Sequence, residues 1–256
     1  MLWQATGDER YRKWLDDKAD LRIHLEHGYE RFLAANSAYH VYTGLARACA
    51  QLDFTAATGT EDPAVLGTSR SIAGWLFGGH LSVSGTCSGG EPNVEGEFWR
   101  KSQRGTGRWG ETCATAYMMR FAAKMMAVDP DPKYGDLLER ALYNAFFAAQ
   151  SPDGVRYRYF TPFDEPGERW PRDTYCCPNN FRREIFELPD AAILKTPRGV
   201  AINLYSEARL RSKGVSLDVE TRYPLDGTVS IVANADVPTE LLLRIPAWCR
   251  NAEVTA

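Results

Sequence analysis

No stretch of this 256-residue sequence approaches the roughly 20 consecutive apolar residues that a membrane-spanning helix requires; the longest apolar runs, Ala141 to Ala149 among them, are broken by polar residues. A membrane span is excluded from the reading. An excess of charge is missing too: 30 Lys and Arg stand against 33 Asp and Glu, a net charge of −3, and no basic run is interleaved with aromatics that would track a phosphate backbone. Nucleic acid is not an expected partner. The N-terminus lacks a basic region followed by an apolar core, so the chain reads as cytoplasmic. Low-complexity segments and a fixed repeat of about 20–50 residues are absent as well. Six cysteines (Cys49, Cys87, Cys113, Cys176, Cys177 and Cys249) in a chain of this length do not make a disulfide framework.

What is present is enough apolar material, 44% of residues, for a substantial core. The first two-thirds read as helix. Ser37 to Phe54 carries Val41, Leu45, Ala48 and Leu52 at helical spacing, and Glu9 to Leu21, Pro63 to Leu76, Thr112 to Val128, Tyr134 to Gln150 and Pro178 to Leu188 complete the set. A glycine-rich segment from Gly78 to Gly110 interrupts them and is long enough to suggest a functional loop. Val155 to Thr161 reads as a short strand. After Pro189 the period changes to alternation, with strands expected at Val200–Tyr205, Val215–Arg222, Val229–Val232 and Leu241–Ile245, and a further one beginning at Glu253. The expected fold is therefore mainly α with a β domain, divided into residues 1–190 and 191–256.

Cys176 and Cys177 are adjacent, and sixty-three residues before Cys176 the run Glu111-Thr112-Cys113 sets a carboxylate two positions from a third thiol. Neighbouring cysteines make a poor disulfide. Disulfide geometry wants Cα atoms roughly 4.4–6.8 Å apart, whereas residues joined by a trans peptide sit about 3.8 Å apart. A metal or a reactive thiolate explains them better. Residues two apart on a regular helix point to different sides, so Glu111 and Cys113 reach one ion only if Glu111 lies at the helix entry, where Gly110 lets the backbone turn. Three thiols and one carboxylate suit a tetrahedral Zn2+ site. A closed structural zinc clip and a reactive centre are equally compatible with those ligand types. Three thiolates and a carboxylate nevertheless carry more negative charge than a divalent cation cancels, which leaves the sulfurs electron-rich and one of them able to act as a nucleophile.

An acid would be needed beside such a nucleophile, and Glu95-Gly96-Glu97-Phe98-Trp99 supplies one. Glu97 lies next to two aromatics and near a second carboxylate, both of which raise a carboxyl pKa. These segments together carry a resemblance. Gly96-Glu97, Gly110-Glu111-Thr112-Cys113-Ala114, Leu138 to Asn144, Arg158-Tyr159-Phe160-Thr161-Pro162 and Cys176-Cys177-Pro178-x-Asn180 occur in the order and spacing of glycoside hydrolase family 127, the β-L-arabinofuranosidases. Leu204-Tyr205, Tyr223-Pro224-x-Asp226-Gly227 and Leu243-Arg244-Ile245-Pro246-Ala247-Trp248-Cys249 resemble the start of that family's β-domain, so the likeness runs from about residue 36 onward.

The resemblance implies a retaining hydrolysis of β-L-arabinofuranosides or related sugars on an (α/α)6-barrel followed by a β-sandwich. It implies Cys176 as zinc-bound nucleophile, Glu111, Cys113 and Cys177 as the other ligands, Glu97 as general acid/base and Tyr159 as a substrate-binding neighbour. Strict counting back from Glu111 would select Glu95 instead; the Gly-Glu context selects Glu97. Sulfur then replaces the second carboxylate of an ordinary glycosidase. About six helices precede the β-region here, against twelve in a complete barrel, so the sequence reads as a partial barrel in residues 1–190 and an incomplete sandwich in 191–256. Exposed helix faces would follow, with homo-oligomerisation or a place in a longer product as outcomes. The alternative reading is a truncated, catalytically inactive relative that keeps the zinc site as a structural clip. The expected partner is an oligosaccharide or glycoside.

Overall fold

The computed structural model describes residues 2–11, 13, 38–58, 63–87, 110–161 and 176–255, and the protein is mainly helical with two small sheets. Six α-helices are described: α1 (Leu2–Thr6), α2 (Ala38–Thr58), α3 (Pro63–Trp75), α4 (Thr112–Val128), α5 (Pro132–Arg140) and α6 (Cys176–Ala192). The helix expected over Glu9 to Leu21 falls largely outside the described residues. None of the described helices is long and apolar enough to cross a membrane.

α4 is the centre of the helical part because its sequence is apolar or small on nearly every side. Cys113 to Ala116, Met118, Met119, Phe121, Ala122 and Met125 are all buried, which is the signature of a core helix rather than a surface one. α2 and α6 pack against it. Phe146 lies flat on Phe181 of α6, ring centroids 4.1 Å apart and 5° from parallel, and burying such a side chain contributes roughly 1.5–3 kcal/mol. At the rim of the three helices, Arg120 bonds Glu187 at 2.9 Å and lies 3.8 Å from Asp53, which also takes Lys124. α5 begins where Asp131 accepts the Lys133 amide at 3.0 Å and Pro132 fills the first turn.

Some expected elements differ in detail. The segment Tyr134 to Gln150 is not one α-helix: past Arg140 it widens into a π-turn at Ala141–Phe146 and tightens into a 3-10 turn at Phe147–Ala149. Val155 to Thr161 forms two isolated bridges, Gln150 to Tyr157 and Glu111 to Phe160, rather than a strand, because its partners are single residues at a loop and a helix entry. α6 starts two residues before Pro178, which falls in its first turn, and runs on to Ala192 with Pro189 inside it.

Strands β1 (Ile193–Thr196), β2 (Gly199–Ile202) and β6 (Glu240–Leu243) form one sheet, with β1 antiparallel and β6 parallel to β2. β3 (Ala208–Ser212), β4 (Val215–Thr221) and β5 (Val229–Ala235) form an antiparallel second sheet. Residues 252–255 are not strand. A small core of Val200, Ile202, Tyr205, Leu217 and Val219 joins the two sheets. Leu204, by contrast, belongs to the helical core, and Asn203 donates its side-chain amide to Ala191 O and its backbone N–H to Ala192 O, capping the end of α6.

Glu184 is buried between these helices, 2% exposed, and burial pushes its carboxyl up to about 8. A folded-state pKa above the unfolded value means the folded chain binds the proton more tightly, so this group's contribution is present below the unfolded pKa of 4.5 and is lost as pH rises toward about 8. Glu184→Gln is expected to remove that loss, on the order of a few kcal/mol at pH 8. Thermal melts of both proteins at pH 5.5 and 8 check it: the stability advantage of the variant should grow with pH, and an equal difference at both would refute the assignment.

Candidate metal centre and active site

Two helix entries converge on the cysteines. Glu111 is the N-cap of α4 with extended backbone (φ −64°, ψ 128°), and Gly110 before it has φ +64°. This is the entry geometry that the two-residue spacing requires. A side chain at Gly110 would strike Thr161 Oγ1 at 2.6 Å, so the turn depends on glycine for space as well as for dihedral. The segment containing Tyr159 closes the other side: Thr112 N–H donates to Tyr159 O at 2.9 Å, Thr112 Oγ1 to Arg158 O at 2.8 Å, and Thr161 N–H to Gly110 O at 3.1 Å.

Cys176 and Cys177 occupy the first turn of α6, beside the first turn of α4 that carries Cys113. Arg183 holds the two helices in register by donating to the Tyr117 hydroxyl at 3.1 Å with its guanidinium over the ring. One ligand atom from each of Glu111, Cys113, Cys176 and Cys177 lies within 4.8 Å of all the others. Cys113 Sγ is 3.3 Å from both Cys176 Sγ and Cys177 Sγ, and Cys177 Sγ is 3.5 Å from Glu111 Oε1. All are free thiols. Glu111, Cys113 and Cys177 are wholly buried while Cys176 is exposed.

The electrostatics are those of one negative charge shared among close thiols. The Cys177 hydrogen bond, with further ones from Asn180, Cys176 and Glu111, draws Cys113 down to about 6. Burial raises Cys176 to about 11, and the Cys113 thiolate together with burial pushes Cys177 up. Two helix N-termini add partial positive charge at the same place. Three sulfurs and a carboxylate oxygen so grouped form a soft, compact donor set that matches zinc and would be a poor cage for calcium or magnesium, which demand oxygen.

The four proposed ligands are thus brought together, and the main chain of Tyr159 lies against them, its carbonyl 3.9 Å from Cys177 Sγ. Glu97 and Glu95 lie outside the described residues. Two neighbours were given no role by the sequence. Cys87 packs behind α4 with its thiol toward Ala114 O at 3.8 Å, held neutral by burial and by Glu111, and Asn180 Nδ2 donates to Cys113 Sγ at 2.9 Å. Asn180 stood within the quoted motif, but its partner lies on another helix.

A helical unit with a carboxylate and three thiols grouped at paired helix entries, where they could hold a metal ion, followed by small β-sheets, defines the class: a helical protein with a cysteine-rich cluster and an appended β unit. Sequence comparison specifies it further. Residues 1–190 match the beta-L-arabinofuranosidase GH127 catalytic domain and residues 199–256 the GH127 middle domain, and the chain belongs to glycoside hydrolase family 127. It is 30% identical over 167 residues to a non-reducing end beta-L-arabinofuranosidase of Bifidobacterium longum subsp. longum, an alignment covering 56% of this chain and 25% of that protein.

Among solved structures it resembles one described as a glycoside hydrolase, at 26% identity and TM-score 0.75, over 98% of this chain and 48% of the other. A GH127 beta-L-arabinofuranosidase from Geobacillus stearothermophilus T6 shares the fold at 23% identity and TM-score 0.68, over 82% of this chain and 36% of its own. A further GH127 beta-arabinofuranosidase does so at 23% identity and TM-score 0.77, over 96% and 41%. The chain spans less than half the length of each of these relatives.

Proposed function

We propose that this chain carries the cysteine centre of a retaining glycoside hydrolase acting on β-L-arabinofuranosides or related sugars. Residues 1–190 are read as part of an (α/α)6-barrel and 191–256 as part of a β-sandwich. The observation that carries the proposal is the asymmetry of the cluster: three ligands are wholly buried and the fourth, Cys176, is exposed. A purely structural clip needs no exposed sulfur, whereas a nucleophile must meet its substrate.

Zinc, held by Glu111, Cys113, Cys176 and Cys177, would keep these thiols deprotonated near neutral pH. Cys176 Sγ then attacks the anomeric carbon as the bond to the leaving oxygen breaks, and the Glu97 carboxyl gives its proton to that oxygen. In the second half the Glu97 carboxylate takes a proton from water, the water oxygen bonds the anomeric carbon, and the sulfur departs as thiolate. The sugar leaves with its configuration retained after two displacements. Tyr159, whose main chain lies beside the cluster, is read as a contact for the sugar.

A direct test is to incubate the protein with an activated aryl β-L-arabinofuranoside, quench in acid, and map peptides by mass. The expected result is nitrophenol release with one pentosyl unit on the peptide bearing Cys176. Bound zinc with neither hydrolysis nor adduct would overturn it in favour of a structural clip in a catalytically silent chain.

A further inference from the structure

Four residues after Cys176 and three after Cys177, Asn180 lies on the same face of α6 as the two sulfurs. Its amide reaches across to α4 and donates to Cys113 Sγ at 2.9 Å, so the neutral N–H is spent on the sulfur of the opposite helix. Cys113 is therefore held from two directions, by its own buried position and by this amide, while Cys176, 3.3 Å away, faces solvent. An amide donor draws electron density from a thiolate, which makes that sulfur a weaker nucleophile, and it adds no charge that would repel or replace a metal.

We propose that Asn180 is a positioning residue that makes the thiolates of the cluster inequivalent: its hydrogen bond fixes Cys113 as a retained ligand, and so leaves Cys176 as the sulfur that attacks. The inference rests on Cys176 being the nucleophile. Neighbours of ligating groups typically shift metal affinity or activity by about 10- to 100-fold when removed.

The test compares wild type with Asn180→Leu, which keeps the volume and removes the donor. Both are loaded with Co2+ and the sulfur-to-cobalt charge-transfer absorption is recorded, alongside kcat and KM on an aryl β-L-arabinofuranoside with the zinc-loaded proteins. Loss of the N–H···S bond should move the charge-transfer band to longer wavelength and lower kcat by about 10- to 100-fold, with KM changing far less. A band at the wild-type position, or a kcat within about twofold of wild type, overturns the assignment. If Asn180→Leu does not fold, Asn180→Ala, smaller and equally without an N–H donor, must show the same red shift. Cys176→Ser separates the two ideas. Full turnover in that variant would sink the nucleophile reading, whereas an inactive Cys176→Ser beside an unperturbed Asn180→Leu would sink only the role of Asn180.

Discussion

On the proposed mechanism, replacing Cys176 by alanine is expected to lower turnover of an aryl β-L-arabinofuranoside on the order of 10^4- to 10^6-fold, or about 5–8 kcal/mol of transition-state stabilisation, while the melting temperature barely moves. The two halves of that expectation come from different facts. Turnover falls because no other exposed sulfur of the cluster can substitute: Cys113 and Cys177 are wholly buried. Stability persists because Cys176 is exposed, where truncation removes little packing. Glu111, Cys113 and Cys177 would remain, and three protein ligands with a water are enough to retain zinc. Cys177→Ala and Cys113→Ala should behave differently, losing metal and stability along with activity, since each removes a wholly buried ligand. Elemental analysis, thermal melts and steady-state rates on the three variants check this. Undiminished turnover in Cys176→Ala would remove the residue from the mechanism. Equal losses of zinc and of melting temperature in all three would turn the cluster into a structural clip.

The grouping of four side chains was readable in the chain because its members are chemically uncommon and come in tight pairs: Glu111 with Cys113, and Cys176 with Cys177. Pairing at short range restricts geometry enough that only the helix-entry arrangement satisfies it, and Gly110 signals that entry. What lay beyond reach were contacts made by ordinary residues over long separations. Asn180 is a common residue type whose partner is 67 positions away, and Cys87 finds its carbonyl acceptor 27 positions on. Neither contact leaves a local pattern, even though Asn180 itself lies within a motif.

The same division holds for the fold. α4 was legible to the residue because it is a long run of good helix formers with Tyr117, Phe121 and Met125 four apart, and its N-cap is marked by Gly110-Glu111. β1 was missed because Ile193-Leu194-Lys195-Thr196 follows α6 directly and is too short to alternate visibly, and β3 because Ala208-Arg209-Leu210-Arg211-Ser212 is largely exposed and reads as polar loop. Both strands are defined by their partners, β2 and β4, rather than by their own composition.

Arg244→Met is expected to cost about 3–5 kcal/mol of stability, seen as a fall in melting temperature of roughly 10 °C. Arg244 joins the β unit to α5. Its guanidinium bonds Asp136 at 2.6 Å and also Glu139, and its Nε donates to Asn203 O at 2.6 Å. Trp248 Nε1 donates to Glu139 Oε1 at 2.9 Å, and the Tyr205 hydroxyl donates to Arg244 O at 2.6 Å. The guanidinium is 4% exposed and the Glu139 side chain 8%, so solvent screens this network little. The packing leaves no slack: a side chain at Gly135 would sit 2.2 Å from Asn203 Oδ1 and 2.5 Å from Arg244 Cδ. Methionine fills most of the arginine's volume yet leaves two carboxylates facing each other without a cation, and an unpaired buried charge is what makes breaking such a network expensive. Arg244→Lys should fall between, since one ammonium cannot span both carboxylates and the Asn203 carbonyl with the arginine's planar fork. If the interface were merely apposed, and the network worth no more than a surface ion pair, both variants would melt within about 2 °C of wild type.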